Sequence, residues 1–198
     1  MITDDTAWLM IEACRLLKLP TRRLSICELG NQHAGWNLHS PVKPIMEWLG
    51  ARHTSIDLNG LDGALKHDLA APLPDTLLGQ FDLVTNAGTT EHVCTSNDFR
   101  DQWQALRSIH DLTKPQAAIM HVIPDEHGWH CGCGYAYTRD FLPALATACG
   151  YSLIHWYPSR SDAHHIAALL LKHAHRSFPD FDEFRALGGI LQAKVANE

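Results

Sequence analysis

A chain of 198 residues, 45% hydrophobic and 19% charged, is long enough for one α/β domain with its own core and too apolar to be disordered. Its net charge of −6 and the lack of any lysine or arginine run remove the electrostatic footprint of a dedicated nucleic-acid binder. The cysteines, Cys14, Cys27, Cys94, Cys131, Cys133 and Cys149, fall mostly inside predicted elements, where a thiol acts as a small apolar residue, so no disulfide framework is expected.

The opening Met1-Ile2-Thr3-Asp4-Asp5 is acidic and has no basic stretch before an apolar one, so no signal peptide is expected. The longest apolar run, Ile166 to Leu171, is too short to span a bilayer. A soluble, cytoplasmic protein is therefore expected. Thr3 or Asp4 caps a first helix, in which Leu9, Ala13, Leu16 and Leu17 make an apolar stripe that ends before Pro20.

Leu24 to Leu29 reads as a short buried strand that closes on the acid Glu28 and the turn residue Gly30. The following stretch, residues 31–40, is polar with aromatic and histidine content, as suits a ligand-facing loop. Pro44 to Leu49 is a short helix stopped by Gly50. His53 to Leu58 is a second strand with an acid, Asp57, near its end, followed by the turn signal Asn59-Gly60. Asp68 and Leu69 lie in a short segment before a proline-rich loop.

Phe81 to Asn86 is a third strand. Ser96 or Asn97 is placed to cap a helix that carries Phe99, Trp103, Leu106 and His110 on one face, with the aromatic residues as packing. Gln116 to Ile123 is nearly all apolar, as a strand covered on both faces must be. Residues 124–137 read as a long loop, and a helix through Phe141, Leu145 and Cys149 ends at Gly150. Tyr151–Tyr157 and His165–Lys172 are two consecutive strands joined by a polar turn, which predicts a hairpin adding an antiparallel edge. Alternating strands and helices predict a mostly parallel sheet, a Rossmann-like three-layer α/β sandwich. The expected organisation is one domain with a core over about 21–172, a helix over about 4–18 and a C-terminal helical segment over about 178–192.

The order of an acid ending strand one, an acid ending strand two, His67-Asp68-Leu69, Phe81-Asp82-Leu83-Val84, Glu91-His92 and a terminal hairpin resembles the class I S-adenosylmethionine-dependent methyltransferases. The resemblance covers about residues 21–172. It implies S-adenosylmethionine as cofactor, with Glu28 and Gly30 at its methionine part and Asp57, beside Leu58, at the ribose hydroxyls. It further implies Asp68 and Leu69 at the adenine and Asn86 near the transferring methyl. Glu91 and His92 resemble a pair found beyond that point in members that act on small molecules. A carboxylate at the ribose position is chemically apt, because it only accepts and can take two hydroxyl donors.

In one respect the chain departs from the family: Gly30 is followed by Asn31-Gln32 where a second glycine is usual. Either Asn31 and Gln32 bind the cofactor through their side chains, or cofactor binding has been lost. The interval from Glu28 to Asp57 is also longer than the family's, which the 31–40 loop accounts for.

The stretch His127-Gly128-Trp129-His130-Cys131-Gly132-Cys133 invites a zinc reading, but its spacing is too tight for a structural site, and no metal is assigned. It reads better as a loop at the carboxyl edge of the sheet, with Trp129 covering an acceptor and His121, His127 or His130 as a base. His92 is the first candidate base and His130 the second. The expected activity is methyl transfer to a small-molecule or biosynthetic acceptor, the acidic balance disfavouring a nucleic acid. Two other classes stay open: a catalytically inactive domain serving as a binding or scaffold partner, and a nicotinamide-dependent oxidoreductase. The latter lacks its Gly-x-Gly-x-x-Gly loop. Oligomeric state is not legible.

Overall fold

The computed structural model describes residues 3–34, 40–128, 134–160, 164–173 and 176–192. The central sheet contains β1 (Ser25–Leu29), β2 (Arg52–Asp57), β3 (Leu65–Lys66), β4 (Phe81–Ala87), β5 (Thr113–Pro124), β7 (Ser152–Pro158) and β8 (His165–Leu171). Their spatial order is β3-β2-β1-β4-β5-β8-β7. The pairs from β3 through β5 are parallel, and β8 runs antiparallel to both neighbours. A separate antiparallel pair joins β6 (Tyr135–Tyr137) to β9 (Ile190–Gln192).

Helices cover both faces, making the expected Rossmann-like three-layer sandwich. α1 (Asp4–Leu17) and α2 (Val42–Trp48) lie over one side; α3 (Arg100–Leu112), α4 (Phe141–Cys149) and α5 (Phe181–Leu187) lie over the other. Strand alternation feeds the two cores separately. In β5, Ile119 and Ile123 pack with Leu106, Ile109 and Phe141, while Ala118, Met120 and Val122 pack with Leu9 and Ala13. α1 begins at the expected Thr3, whose hydroxyl accepts the Thr6 N–H in a reciprocal cap.

The expected hairpin forms at the antiparallel edge, and two other expectations change. The hairpin adds β7 at the edge, and β8 inserts between β5 and β7. The composition explains this order. β8 is buried from Ile166 to Leu170 and needs cover on both faces, whereas every residue of β7 keeps some exposure. Phe99 takes the cap position of α3 in left-handed backbone at φ 68°, while the hydroxyl of Ser96, one of the two expected caps, accepts the Asp101 N–H of the first turn at 3.4 Å. Asp101 returns the contact, its carboxylate accepting the N–H groups of Thr95 at 2.6 Å and Ser96 at 2.8 Å and the Tyr135 hydroxyl at 3.1 Å. Finally, the segment expected to be helical over 178–192 is the helix α5, broken by Gly188-Gly189, followed by β9. β9 pairs with residues expected to be loop.

Asp101 is 2% exposed and serves donors from the loop and from β6. Asp101→Ala strands those donors and should lower the unfolding free energy by about 2–4 kcal/mol. Urea denaturation checks this, and a loss within about 0.5 kcal/mol of zero would show that water replaces the carboxylate.

Candidate functional site

A cleft of about 290 Å³ opens at the carboxyl ends of β1, β2 and β4. This is the edge at which open α/β sheets receive ligands. Gly30, Asn31, Gln32, Asp57, Leu58, Asp68, Leu69 and His92, all singled out in the sequence, line it. Gly88, Thr89, His67, Val93 and Thr95 line it too and were not inferred from sequence. The Gly88-Thr89 turn directly after a buried strand carried the same signal as Gly30.

Asp57 ends β2 with its carboxylate fixed from two sides. Oδ2 accepts the Asn31 N–H at 2.7 Å and Oδ1 accepts the Asn59 N–H at 2.8 Å. Each oxygen keeps lone-pair capacity for a further donor. Leu58 follows with 67% of its surface exposed, an apolar wall beside a charged floor. Leu69 is buried, while Asp68 is exposed and accepts the Ala70 N–H at 2.9 Å.

Gly30 makes the turn after β1 with φ 77° and donates its N–H to the Ile56 carbonyl at 2.8 Å. A Cβ there would lie 2.6 Å from Thr89 Oγ1 and 2.7 Å from Gln32 Nε2, so both backbone conformation and crowding demand glycine. The Thr89 hydroxyl donates to the Leu29 carbonyl at 2.8 Å and accepts from Gln32 Nε2 at 3.1 Å. Asn31 Nδ2 donates to Asp62 Oδ2 at 2.6 Å, and its buried Oδ1 finds no partner among the described residues. Beyond Gln32 the chain is pinched by a His33–Pro41 bridge and by Ala34 donating to the Ser40 carbonyl.

Three inferred residues sit behind the cleft without lining it. Glu28 is 2% exposed and holds the turn from beneath, its Oε2 accepting from Ser55 Oγ at 3.0 Å and Gln32 N at 3.4 Å. Burial pushes its carboxyl up to about 7 despite those bonds. Asn86 is fully buried: Nδ2 donates to Thr90 Oγ1 at 2.9 Å and to His121 Nδ1 at 3.1 Å, and Oδ1 accepts the Thr90 N–H at 3.1 Å. Thr90 in turn meets the Tyr137 hydroxyl at 3.0 Å, and that hydroxyl donates to Gln102 Oε1 at 2.6 Å. This network fixes the turn that carries Glu91 and His92.

Glu91 is 2% exposed; its Oε1 lies 3.9 Å from His92 Nε2, and its Oε2 has no partner among the described residues. Burial is the main cause that lifts its carboxyl to about 7, against a smaller opposing pull from its own backbone N–H and from His92. His92, with about half its side chain exposed, faces the cleft. His121 is buried, its ring pushed by that burial down to about 4, and it serves Asn86 rather than the cleft. His127 is exposed and does not line the cleft. Trp129, His130, Cys131 and Cys133 lie outside the described residues. Among the described residues, no group of three potential metal ligands forms, and Cys14, Cys27, Cys94 and Cys149 are free thiols.

The fold is shared with solved methyltransferases. The 1,6-didemethyltoxoflavin-N1-methyltransferase of Burkholderia thailandensis, solved with 1,6-didemethyltoxoflavin and S-adenosylhomocysteine bound, matches with a TM-score of 0.58 and 16% identity over 86% of this chain and 80% of that one. A TehB-like methyltransferase from Corynebacterium glutamicum matches with a TM-score of 0.57 and 18% identity, covering 85% of this chain and 87% of its own. An S-adenosylmethionine-dependent methyltransferase from Mesorhizobium loti matches with a TM-score of 0.55 and 15% identity over 83% of this chain and 98% of that one. The chain therefore has the class I, Rossmann-like methyltransferase fold. No protein-family model and no curated protein matches the sequence.

The raised Glu91 carboxyl carries a stability consequence. Its pKa goes from a reference of 4.5 to about 7, so the folded state holds the proton more tightly and this group's contribution declines as pH rises through that window. His53, His110 and His121, lowered to about 4 mainly by burial, act in the opposite sense over an overlapping range, so the clean observable is a difference between variants. Glu91→Gln mimics the protonated form; its stability relative to the natural chain should improve between pH 4.5 and 7 by on the order of 1–3 kcal/mol and then level off. Urea titrations at pH 5 and pH 8 measure this. An equal difference at both pH values would show that Glu91 is charged throughout.

Proposed function

We propose that this chain transfers a methyl group from S-adenosylmethionine to a small-molecule acceptor. The observation that carries the reading is Asp57. Its carboxylate lines the cleft at the end of β2, oriented by two backbone N–H groups, with room for the two hydroxyls of a ribose. Leu58 and Leu69 supply apolar surface for a purine, and Asp68 supplies an acceptor for an exocyclic amine. The bound S-adenosylhomocysteine and heterocyclic substrate of the Burkholderia thailandensis enzyme support the same assignment of ligand classes.

When bound, S-adenosylmethionine supplies a methyl group activated by its sulfonium for in-line displacement. The task left to the chain is alignment, which the fixed turns at Gly30 and Gly88 and the braced Asp57 suit. His92 at the cleft wall is the base for an acceptor that must lose a proton, and Glu91 behind it is an acceptor-side group. Trp129 as an apolar cover and His130 as a second base rest on the sequence alone. The competing reading, a retained fold that has lost catalysis, draws on Gln32.

Isothermal titration with S-adenosylhomocysteine separates these readings. The natural chain should bind, and Asp57→Ala should weaken binding by about 1–3 kcal/mol through lost charge-assisted bonds. Unchanged affinity in a folded Asp57→Ala chain removes the ribose assignment. The absence of heat at millimolar ligand would favour the scaffold.

A further inference from the structure

The glycine turn that ends β1 is bare on sequence grounds but covered in three dimensions. Gln32 is 9% exposed and folds back over Gly30. Its Nε2 donates to Thr89 Oγ1, and that hydroxyl is itself tied to the Leu29 carbonyl. One added carbon at Gly30 would meet both groups at 2.6–2.7 Å, so the Gln32 amide and the Thr89 hydroxyl together fill the space directly over the turn. Among the described residues the other end of the cleft has no such cover: Leu58 is largely exposed, and Asp57 and Asp68 keep acceptor capacity.

We propose that Gln32 is a specificity-determining residue. Hydrogen-bonded to Thr89, it closes the arm of the cleft beside Gly30, so that the site holds the adenosine half of its ligand firmly and admits an amino-acid tail only when Gln32 swings away. The inference rests on the cofactor reading above and deepens it. Its physical content is a competition: the tail must displace a hydrogen bond the protein already makes with itself, and its net gain shrinks accordingly. Thr89 keeps its bond to Leu29 when Gln32 leaves, so opening the arm does not disturb the junction of β1 with β4.

Titration of two nucleosides tests this. S-adenosylhomocysteine carries the amino-acid tail; 5′-methylthioadenosine lacks it. The natural chain should bind the two within about threefold of each other. Gln32→Gly and Gln32→Ala should bind S-adenosylhomocysteine about five- to tenfold more tightly and leave 5′-methylthioadenosine within about twofold, the scale of one released hydrogen bond. Thermal unfolding confirms that each variant is folded, and two variants guard against the loss of one.

Binding of S-adenosylhomocysteine by the variants but not by the natural chain supports the proposal in its strongest form. A natural chain that already prefers S-adenosylhomocysteine by about tenfold or more overturns it, as do variants whose affinity for that ligand is unchanged or weaker. Asp57→Ala, titrated alongside, separates the two levels of argument. If it weakens both nucleosides equally, the cofactor reading stands even when the Gln32 result fails. If no chain binds either nucleoside, both readings fall together.

Discussion

One hydroxyl joins the two strands at the centre of the molecule. Thr89, just past β4, donates to the carbonyl of Leu29 at the end of β1 and accepts the side-chain amide of Gln32. Parallel neighbours otherwise diverge where their ladder stops and each chain leaves for its own face of the sheet. Here the departure is tied, and the tie leaves no volume for a side chain at Gly30. The cleft walls at Gly30, Gln32, Gly88 and Thr89 all hang from this junction. The position of Asp57 depends on it as well, because Asn31, one residue past Gly30, supplies one of the N–H groups that orient the carboxylate.

The two edges of the sheet treat their polar groups in opposite ways. At the amino edge, Asp82 takes Lys114 Nζ at 2.7 Å and the N–H and hydroxyl of Ser25 at 2.9 and 2.6 Å. Burial there pushes the carboxyl up, and the bonds from Lys114 and Ser25 outweigh it, so the group sits below its ordinary value. Its acceptor capacity is spent inside the protein. At the carboxyl edge, Glu28 and Glu91 are buried with fewer donors and are held toward the protonated form, while Asp57 and Asp68 stay accessible to the cleft. The carboxyl edge keeps unspent polar capacity, and Asp82 at the amino edge does not.

Much of the fold was legible from local composition. β1, β2, β4, β5, β7 and β8 all fall within a few residues of the apolar runs that announce them, because a strand covered on both faces has little freedom in its side chains. Most of what local composition left undecided depends on a distant partner. β6 is three residues long and exists because β9, more than fifty residues later, pairs with it. β8 lies inside the sheet because it is the better buried of the last two strands. Asn86 was assigned to the cleft, yet strand alternation puts it on the same face as Val84, toward α3, where His121, Thr90 and Tyr137 complete its bonds. That signal was in the sequence, as a period of two.

The sequence by itself determined the layered α/β architecture, the acids that close β1 and β2, and the requirement for glycine at position 30. Each is a property of a short stretch: burial pattern, charge at a strand end, backbone freedom at a turn. Only the tertiary structure decided which of those acids faces the cleft. Glu28 and Asp57 look alike along the chain, but Ser55 and the Gln32 N–H claim the first beneath the turn, while the N–H groups of Asn31 and Asn59 hold the second at the cleft. It also decided the meaning of Gln32. Along the chain it is a missing glycine; in space it is an amide hydrogen-bonded to a threonine 57 residues away, because the partner that positions a side chain is set by packing and not by sequence distance.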